Sequence, residues 1–368
     1  MGFSIKGMFK NFNIFESFKD KGNVLGVDIG SSSVKVVQLR REKEKAVLET
    51  YGEVATGPYG NLKVGQPVKL PPDVVAEVIK DVMKESNAKA KIARVAIPLK
   101  SSFVKIVDLP VKEEKNIADI ISMEARRHIP VPISEVALDW WVLPKSPGKD
   151  LKAEEERKTM EVLLVAIHND VINDYKNMIA KAGLTARAYE IESFSMIRSA
   201  IGRGSQTIAV IDLGASAVKM AVVDYGVMKE SHFVNKGLYD LTLSLSQSLG
   251  IDQERAEEIK REIGLSDLPE HREMVAVMEP ILDYIFHEAN TFLKDFQNKS
   301  GRSVSKVVLT GGGAMLKGIV DLAVKKLTVE VELADPFSKV EHPVFLSDVL
   351  KNIGINFSVA IGLALGEL

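Results

Sequence analysis

Cysteine is absent from the 368 residues, so this chain contains neither a disulfide nor a thiolate metal site. Histidine is scarce, and its six copies include no HExxH-like pair, which removes the common zinc arrangements. Aromatic residues make up only 6%, and 48 Lys and Arg stand against 50 Asp and Glu, for a net charge of −2. That balance offers no basic surface for nucleic acid. No apolar run approaches the roughly 20 residues needed to span a bilayer. The first residues do not read as a secretory leader either, because lysines and polar residues break up their apolar positions. These exclusions predict a cytoplasmic protein, and the length predicts two lobes instead of a single core.

A repeat divides the chain. Val27-Asp28-Ile29-Gly30-Ser31-Ser32-Ser33-Val34-Lys35 matches Ile211-Asp212-Leu213-Gly214-Ala215-Ser216-Ala217-Val218-Lys219, at an offset of 184 residues, half of 368. In each copy one apolar run ends at the glycine and another begins after the small residues, which predicts two strands joined by a tight turn. Gly30 and Gly214 let the backbone turn without a Cβ, and the N–H groups of such turns can face phosphate oxygens. Asp28 and Asp212 fall at the strand ends, placed to hold Mg²⁺ through water. A single D-x-G-x-S hairpin is commonplace; two copies half a chain apart predict a cleft between lobes.

A third element follows, Val307-Val308-Leu309-Thr310-Gly311-Gly312-Gly313-Ala314-Met315-Leu316. It predicts a strand entering a glycine turn and then a helix over 315–326, a geometry that favours an anion at the helix start. Two further helices are predicted over 190–200 and 358–365, the second rich in small residues (Ala360, Gly362, Ala364). The order hairpin, hairpin, Gly-Gly-Gly turn resembles the actin, sugar-kinase and chaperone ATPase superfamily. The resemblance implies a two-lobed α/β fold of duplicated ribonuclease-H-like domains, with ATP or ADP and Mg²⁺ between the lobes. It makes Gly30, Ser31, Ser32, Ser33 and Lys35 the first phosphate loop. Gly214, Ala215 and Ser216 become the second, with Ala215 in place of an acidic residue, and Gly311, Gly312, Gly313 and Met315 the adenosine loop. Lys219 occupies the position equivalent to Lys35 and reads equally well as an exposed strand lysine. The segment Ala256-Glu257-Glu258-Ile259-Lys260-Arg261-Glu262-Ile263-Gly264 is similar to the helix that covers adenine and ribose, through Glu257, Lys260, Arg261 and Gly264. By itself it reads as a solvated amphipathic helix with i,i+4 charge pairs. Where the superfamily keeps a water-orienting residue, this chain offers Glu190 and Glu192. Spacing does not choose between them, and either also suits the electrostatics of a first helical turn. A slow ATPase is the most that these residues imply.

Residues 94–165 interrupt the first lobe. Their segment Ile129-Pro130-Val131-Pro132-Ile133-Ser134-Glu135-Val136-Ala137-Leu138-Asp139-Trp140 follows a helix predicted at 113–127 and precedes a charged hairpin tip at 145–158. Taken alone it reads as a strand-entry loop, with prolines fixing φ and Trp140 and Trp141 alternating between core and surface. It is also similar to the corresponding segment of the PilM family of type IV pilus assembly proteins, and the insertion resembles the extra subdomain that PilM shares with the division protein FtsA. The resemblance covers about residues 22–368. FtsA proteins carry a linker and an amphipathic membrane helix after the last element of the fold. This chain ends soon after its last helix, which favours the PilM pattern.

The resulting division is 1–21 as an N-terminal segment; 22–93, 166–203 and 357–368 as the first lobe; and 94–165 as the insert. Residues 204–245 and 302–356 form the second lobe, and 246–301 a helical subdomain over the adenosine site. Phe3, Ile5, Met8, Phe9, Phe12, Phe15 and Phe18 recur every three to four residues with Lys6, Lys10 and Lys19 between them. That pattern suits an amphipathic helix on its own domain, on a partner or on a membrane surface. The PilM resemblance implies a protein at the cytoplasmic face of the inner membrane that binds the N-terminal cytoplasmic tail of PilN, in a groove between the first lobe and the insert. Pilus motor ATPases and further copies of the chain are other implied partners; nucleic acid is not. Two alternatives are an FtsA-like filament former and a small-molecule kinase of the superfamily.

Overall fold

In the computed structural model, which describes residues 22–110, 117–144, 159–202 and 204–366, the first apolar run forms strand β1 (Val24–Ile29). Gly30 N donates to Ser33 O at 3.0 Å to close the turn, and β2 (Ser33–Glu42) returns antiparallel with Asp28 opposite Lys35. Strand β3 (Lys45–Ala55) extends the meander. Helix α1 (Pro72–Glu85) starts on a proline, whose fixed φ and missing N–H suit the first helical position. It buries Val75, Val78, Ile79 and Val82 against the sheet, the three- and four-residue spacing of one helical face. β4 (Ile92–Ile97) then lies parallel to β1.

The insert consists of β5 (Ser102–Pro110), α2 (Ile117–His128), β6 (Val136–Val142) and β7 (Thr159–His168), with sheet order β5-β7-β6. Its predicted limits of 94 and 165 both need correction. β4 belongs to the first-lobe sheet, and β7 runs on to His168, so the inserted sheet spans 102–168. The two faces of β7 are both covered: Val162, Leu164 and Ala166 pack with Ile121 and Ala125, whereas Leu163, Val165 and Ile167 join the first-lobe core. The tryptophans follow the same two-residue period. Trp140 packs into the insert's own core and Trp141 against the first lobe, so neither is the surface residue that alternation predicted.

Helix α3 (Asn169–Lys181) and strand β8 (Thr185–Ile191) return the chain to the first sheet, whose order is β3-β2-β1-β4-β8. Helix α4 (Glu192–Ala200) follows, so Glu190 lies on the strand and not in the helix predicted from 190. The second lobe repeats the first. β9 (Ile208–Leu213), β10 (Val218–Asp224) and β11 (Val227–Val234) form the meander with Asp212 opposite Lys219. After α5 (Tyr239–Leu249), α6 (Gln253–Ile263) and α7 (Arg272–Ser300) comes β12 (Lys306–Thr310). Helix α8 (Ile319–Leu327) and strand β13 (Glu330–Leu333) complete the order β11-β10-β9-β12-β13. The helical subdomain begins before 246, because α5 starts at Tyr239 and packs on α6. The helix predicted at 315–326 begins four residues later, with one 3₁₀ turn, Gly312–Met315, between the glycines and α8.

Helices α9 (Ser347–Ile353) and α10 (Ser358–Leu365) close the chain. Phe337, Val340 and Leu350 pack with Val24, Leu39 and Leu48, so the segment around 337–350 rests on the first lobe, whereas the sequence placed it in the second. α10 is seated by close backbone contact: a Cβ at Gly26 would lie 2.0 Å from Ala360 O, and one at Gly362 1.8 Å from Ser195 O. The helical run Val344–Leu365 is long and apolar enough, by length and composition, to cross a membrane. This differs from the expectation that no apolar run is long enough, because Ser347, Asp348, Lys351 and Asn352 interrupt the apolar pattern in sequence. Residues 358–364 are buried inside the lobe, where the apolar character serves packing. The Phe-rich segment 1–21, the tip at 145–158 and the start of the helix predicted at 113 lie outside the described residues.

Candidate functional site

The two hairpin turns meet face to face. Ser31 Oγ and Ser216 Oγ are 2.8 Å apart, and Gly214 N donates to Ala217 O as Gly30 N does to Ser33 O. Asp28 and Asp212 stand at the ends of β1 and β9, as the repeat predicted. Burial pushes the Asp28 carboxyl up to about 6, although Lys35 and Lys219 pull it the other way. The two lysines, equivalent in sequence, diverge in space. Lys35 is buried, donates to Ser33 Oγ at 2.7 Å and lies 3.4 Å from Glu53. Lys219 Nζ sits 3.1 Å from Asp212 Oδ2 and 2.9 Å from Glu192 Oε2. Burial penalises the Lys219 ammonium, but Asp212 and Glu192 more than compensate and hold its pKa above the ordinary lysine value.

Geometry separates the two candidate glutamates. Glu190 is fully buried between Arg94, at 3.2 Å, and Arg198, which also donates to Gly362 O. Burial would raise its carboxyl, but Arg198 and Arg94 outweigh that and hold it below the usual glutamate range. Enclosed by two guanidiniums, Glu190 has the setting of a structural ion pair. Glu192 opens α4, accepts from Leu99 N at 2.8 Å and turns its other oxygen to Lys219.

The glycine turn has a packing reason. Gly311 has φ +83°, and a Cβ there would lie 2.0 Å from Asp212 Oδ1; one at Gly313 would lie 2.6 Å from Leu213 O. These two glycines let β12 press against the second hairpin. Gly312 and Met315 are exposed, with Asn356 Oδ1 3.1 Å from a Cβ placed at Gly312. On α6, Glu257 accepts from Thr242 at 2.5 Å and from Arg261 Nε at 2.8 Å, and pairs with Lys260 at 2.6 Å. Lys260 also donates to Leu238 O at 3.1 Å. Gly264 ends the helix with φ +60° beside Lys317, which brings α6 against the chain that leaves the glycine turn.

Sequence reasoning missed the lips of this cleft. From the first lobe, Gln66 Nε2 donates to Gln253 Oε1 and Lys63 lies 3.3 Å from Glu254, both at the start of α6. Tyr239 OH adds a bond to Gln253 at 2.5 Å. Only about 10 Å³ remains among these residues, Thr242 and Glu257, near the minimum for one water. The two lobes therefore touch along these lips. A much larger cavity, about 400 Å³, lies elsewhere, at the base of the first lobe between 44–46 and 338–341, and brings none of the predicted site residues together.

A family model described as type IV pilus assembly protein PilM matches residues 26–368. The chain belongs to the PilM family. The PilM–PilN type IV pilus biogenesis complex contains a similar fold, with a TM-score of 0.79 and 24% identity over 94% of this chain and 98% of that one. MreB5 of Spiroplasma citri, bound to AMPPNP, gives a TM-score of 0.52 at 13% identity over 95% and 96% of the two chains. The cell division protein FtsA of Streptococcus pneumoniae is 24% identical over 86% of this chain and 76% of its own. This PilM-family chain thus has the two-lobed actin-like ATPase fold.

The PilM-family cleft suits a nucleotide. Two hairpin turns present backbone N–H groups and hydroxyls, and Gly312 offers a surface without a side chain. It does not suit a hydrated Mg²⁺ in the arrangement present. The Lys219 ammonium already lies between Asp212 and Glu192, on the carboxylate that was expected to hold the ion's water shell.

Proposed function

We propose that this protein is a cytoplasmic, ATP- or ADP-binding assembly component of the type IV pilus machine. It binds the N-terminal cytoplasmic tail of PilN and so couples the inner-membrane platform to the motor, lying at the membrane's cytoplasmic face through that partner. Membership of the PilM family over residues 26–368 carries this reading. The complex of similar fold that pairs PilM with PilN supports the choice of partner. For the nucleotide, the support is the pair of facing phosphate-type turns with Gly30, Ser31, Gly214 and Ser216 at their centre. Glu257, Lys260, Arg261 and Gly264 form the adenosine side. Nucleotide biases lobe closure, and closure sets affinity for the tail. Glu192 is the one candidate for orienting water, and hydrolysis is at most slow.

The test is fluorescence anisotropy of a labelled PilN tail peptide, titrated with the full chain with and without ATP. Saturable binding that changes with nucleotide is the expected result. No binding in either condition, by protein shown to hold nucleotide, overturns the assignment of partner.

A further inference from the structure

Two lysines face two aspartates in the same cross-strand register, Asp28 with Lys35 and Asp212 with Lys219. Lys35 turns to Ser33 and Glu53 of its own lobe, whereas Lys219 reaches across to the other lobe. Its ammonium is 2.9 Å from Glu192, on the first lobe, and 3.1 Å from Asp212, on the second. It therefore joins carboxylates from both lobes, the task a divalent ion performs in a two-lobed nucleotide site. It is also close to the phosphate-type turn: a Cβ built on Gly214 would lie 3.9 Å from Nζ. One charge, carried on a strand, thus contacts both acids beside the place where phosphate oxygens would lie.

We infer that Lys219 is the resident cation of this cleft and that the protein holds its nucleotide without a divalent metal. The inference rests on the nucleotide-binding reading above and specifies its cofactor requirement. A metal would have to compete for Asp212 with an ammonium whose position is fixed by a central strand, between β9 and β11. Displacing that ammonium would leave a partly buried lysine without its partners, which is costly. Mg²⁺ added beside it would meet like-charge repulsion at short range. Lys219 also keeps Glu192 occupied, so the nucleotide acts as a structural ligand that closes the lobes and is not turned over quickly.

The experiment is a titration of the full-length protein with a fluorescent ADP analogue, in excess magnesium and in EDTA. The wild-type affinity is expected to agree within about threefold between the two buffers. Lys219→Gln removes the resident charge and is expected to bind at least about tenfold more tightly with magnesium than without. Lys219→Arg keeps the charge and restores indifference to metal. Wild-type binding that weakens about tenfold or more in EDTA overturns the inference and leaves the nucleotide reading intact. Lys219→Gln that folds, binds and remains indifferent to metal also overturns it. Absence of saturable binding by the wild type in both buffers removes the nucleotide reading, and this inference with it. A thermal melt shows whether Lys219→Gln is folded, and if it is not, the wild-type comparison decides.

Discussion

Ser31 Oγ and Ser216 Oγ lie 2.8 Å apart across the cleft although 185 residues separate them. This contact joins the centres of the two repeated turns. Gln66 with Gln253, and Lys63 with Glu254, join the lobes again further out. A nucleotide entering between the lobes at this edge would have to part these contacts.

The double substitution Lys63→Ala and Gln66→Ala is therefore expected to speed nucleotide release. One hydrogen bond and one exposed ion pair together contribute about 1–2 kcal/mol. That corresponds to release roughly 5- to 30-fold faster, measured by stopped-flow displacement of a fluorescent nucleotide. An unchanged rate would mean that the lips do not limit exchange.

Glu190 and Glu192 should behave as different kinds of residue. Glu190→Ala leaves Arg94 and Arg198 without the carboxylate between them and is expected to cost about 3–5 kcal/mol of stability, read by thermal or denaturant unfolding. Glu192→Gln keeps an acceptor for Leu99 N and should unfold near the wild-type temperature. Any single-turnover hydrolysis by the wild type should disappear in Glu192→Gln and persist in a folded Glu190→Gln. Equal loss in both variants would refute the distinction.

The contrast shows what the sequence makes legible. The Asp-x-Gly repeat and the triple glycine are local patterns, and the structure builds them as two equivalent turns and a close packing contact. The choice between Glu190 and Glu192 depends on Arg94, 96 residues away, and on which face of a strand end each side chain takes. The lips depend on a loop and a helix start 187 residues apart that no periodicity links. The limits of the insert were misplaced because β4 has the same apolar pattern whichever sheet receives it, and only its pairing with β1 and β8 decides.

Asp139 gives a pH-dependent prediction. It is buried, its Oδ1 accepts from Trp140 N, and its Oδ2 has no hydrogen-bond partner among the described residues. Burial raises its carboxyl from 3.8 to about 7. A carboxyl whose folded pKa is raised binds its proton more tightly when folded, so stability falls as pH rises from about 4 to about 7. The ionised form costs up to about 4 kcal/mol, and a buried amide N–H without a partner costs about 1–3 kcal/mol. Asp139→Asn is thus expected to stabilise the fold at pH 8 by a net of up to about 1–3 kcal/mol, read as a higher melting temperature, and to lose that advantage at pH 5. A substitution effect that does not change with pH would show that Asp139 is not the titrating group.

Trp141 connects the insert to the first lobe, and Trp140 supports the insert from within. If the PilN tail binds between those two bodies, Trp141 sets the width of the groove without touching the insert's own core. Trp141→Ala removes part of a half-buried indole. It should cost less than the roughly 3–5 kcal/mol of a fully buried tryptophan, so the protein should remain folded. The tail peptide should then bind at least about tenfold more weakly, because a groove with one wall loosened must be ordered again on binding. Trp140→Ala acts through α2 and the inner face of the sheet, so it should lower the melting temperature of the insert before it affects the peptide. Paired melting curves and peptide titrations separate the two. Full affinity in a folded Trp141→Ala protein would place the tail elsewhere on the surface.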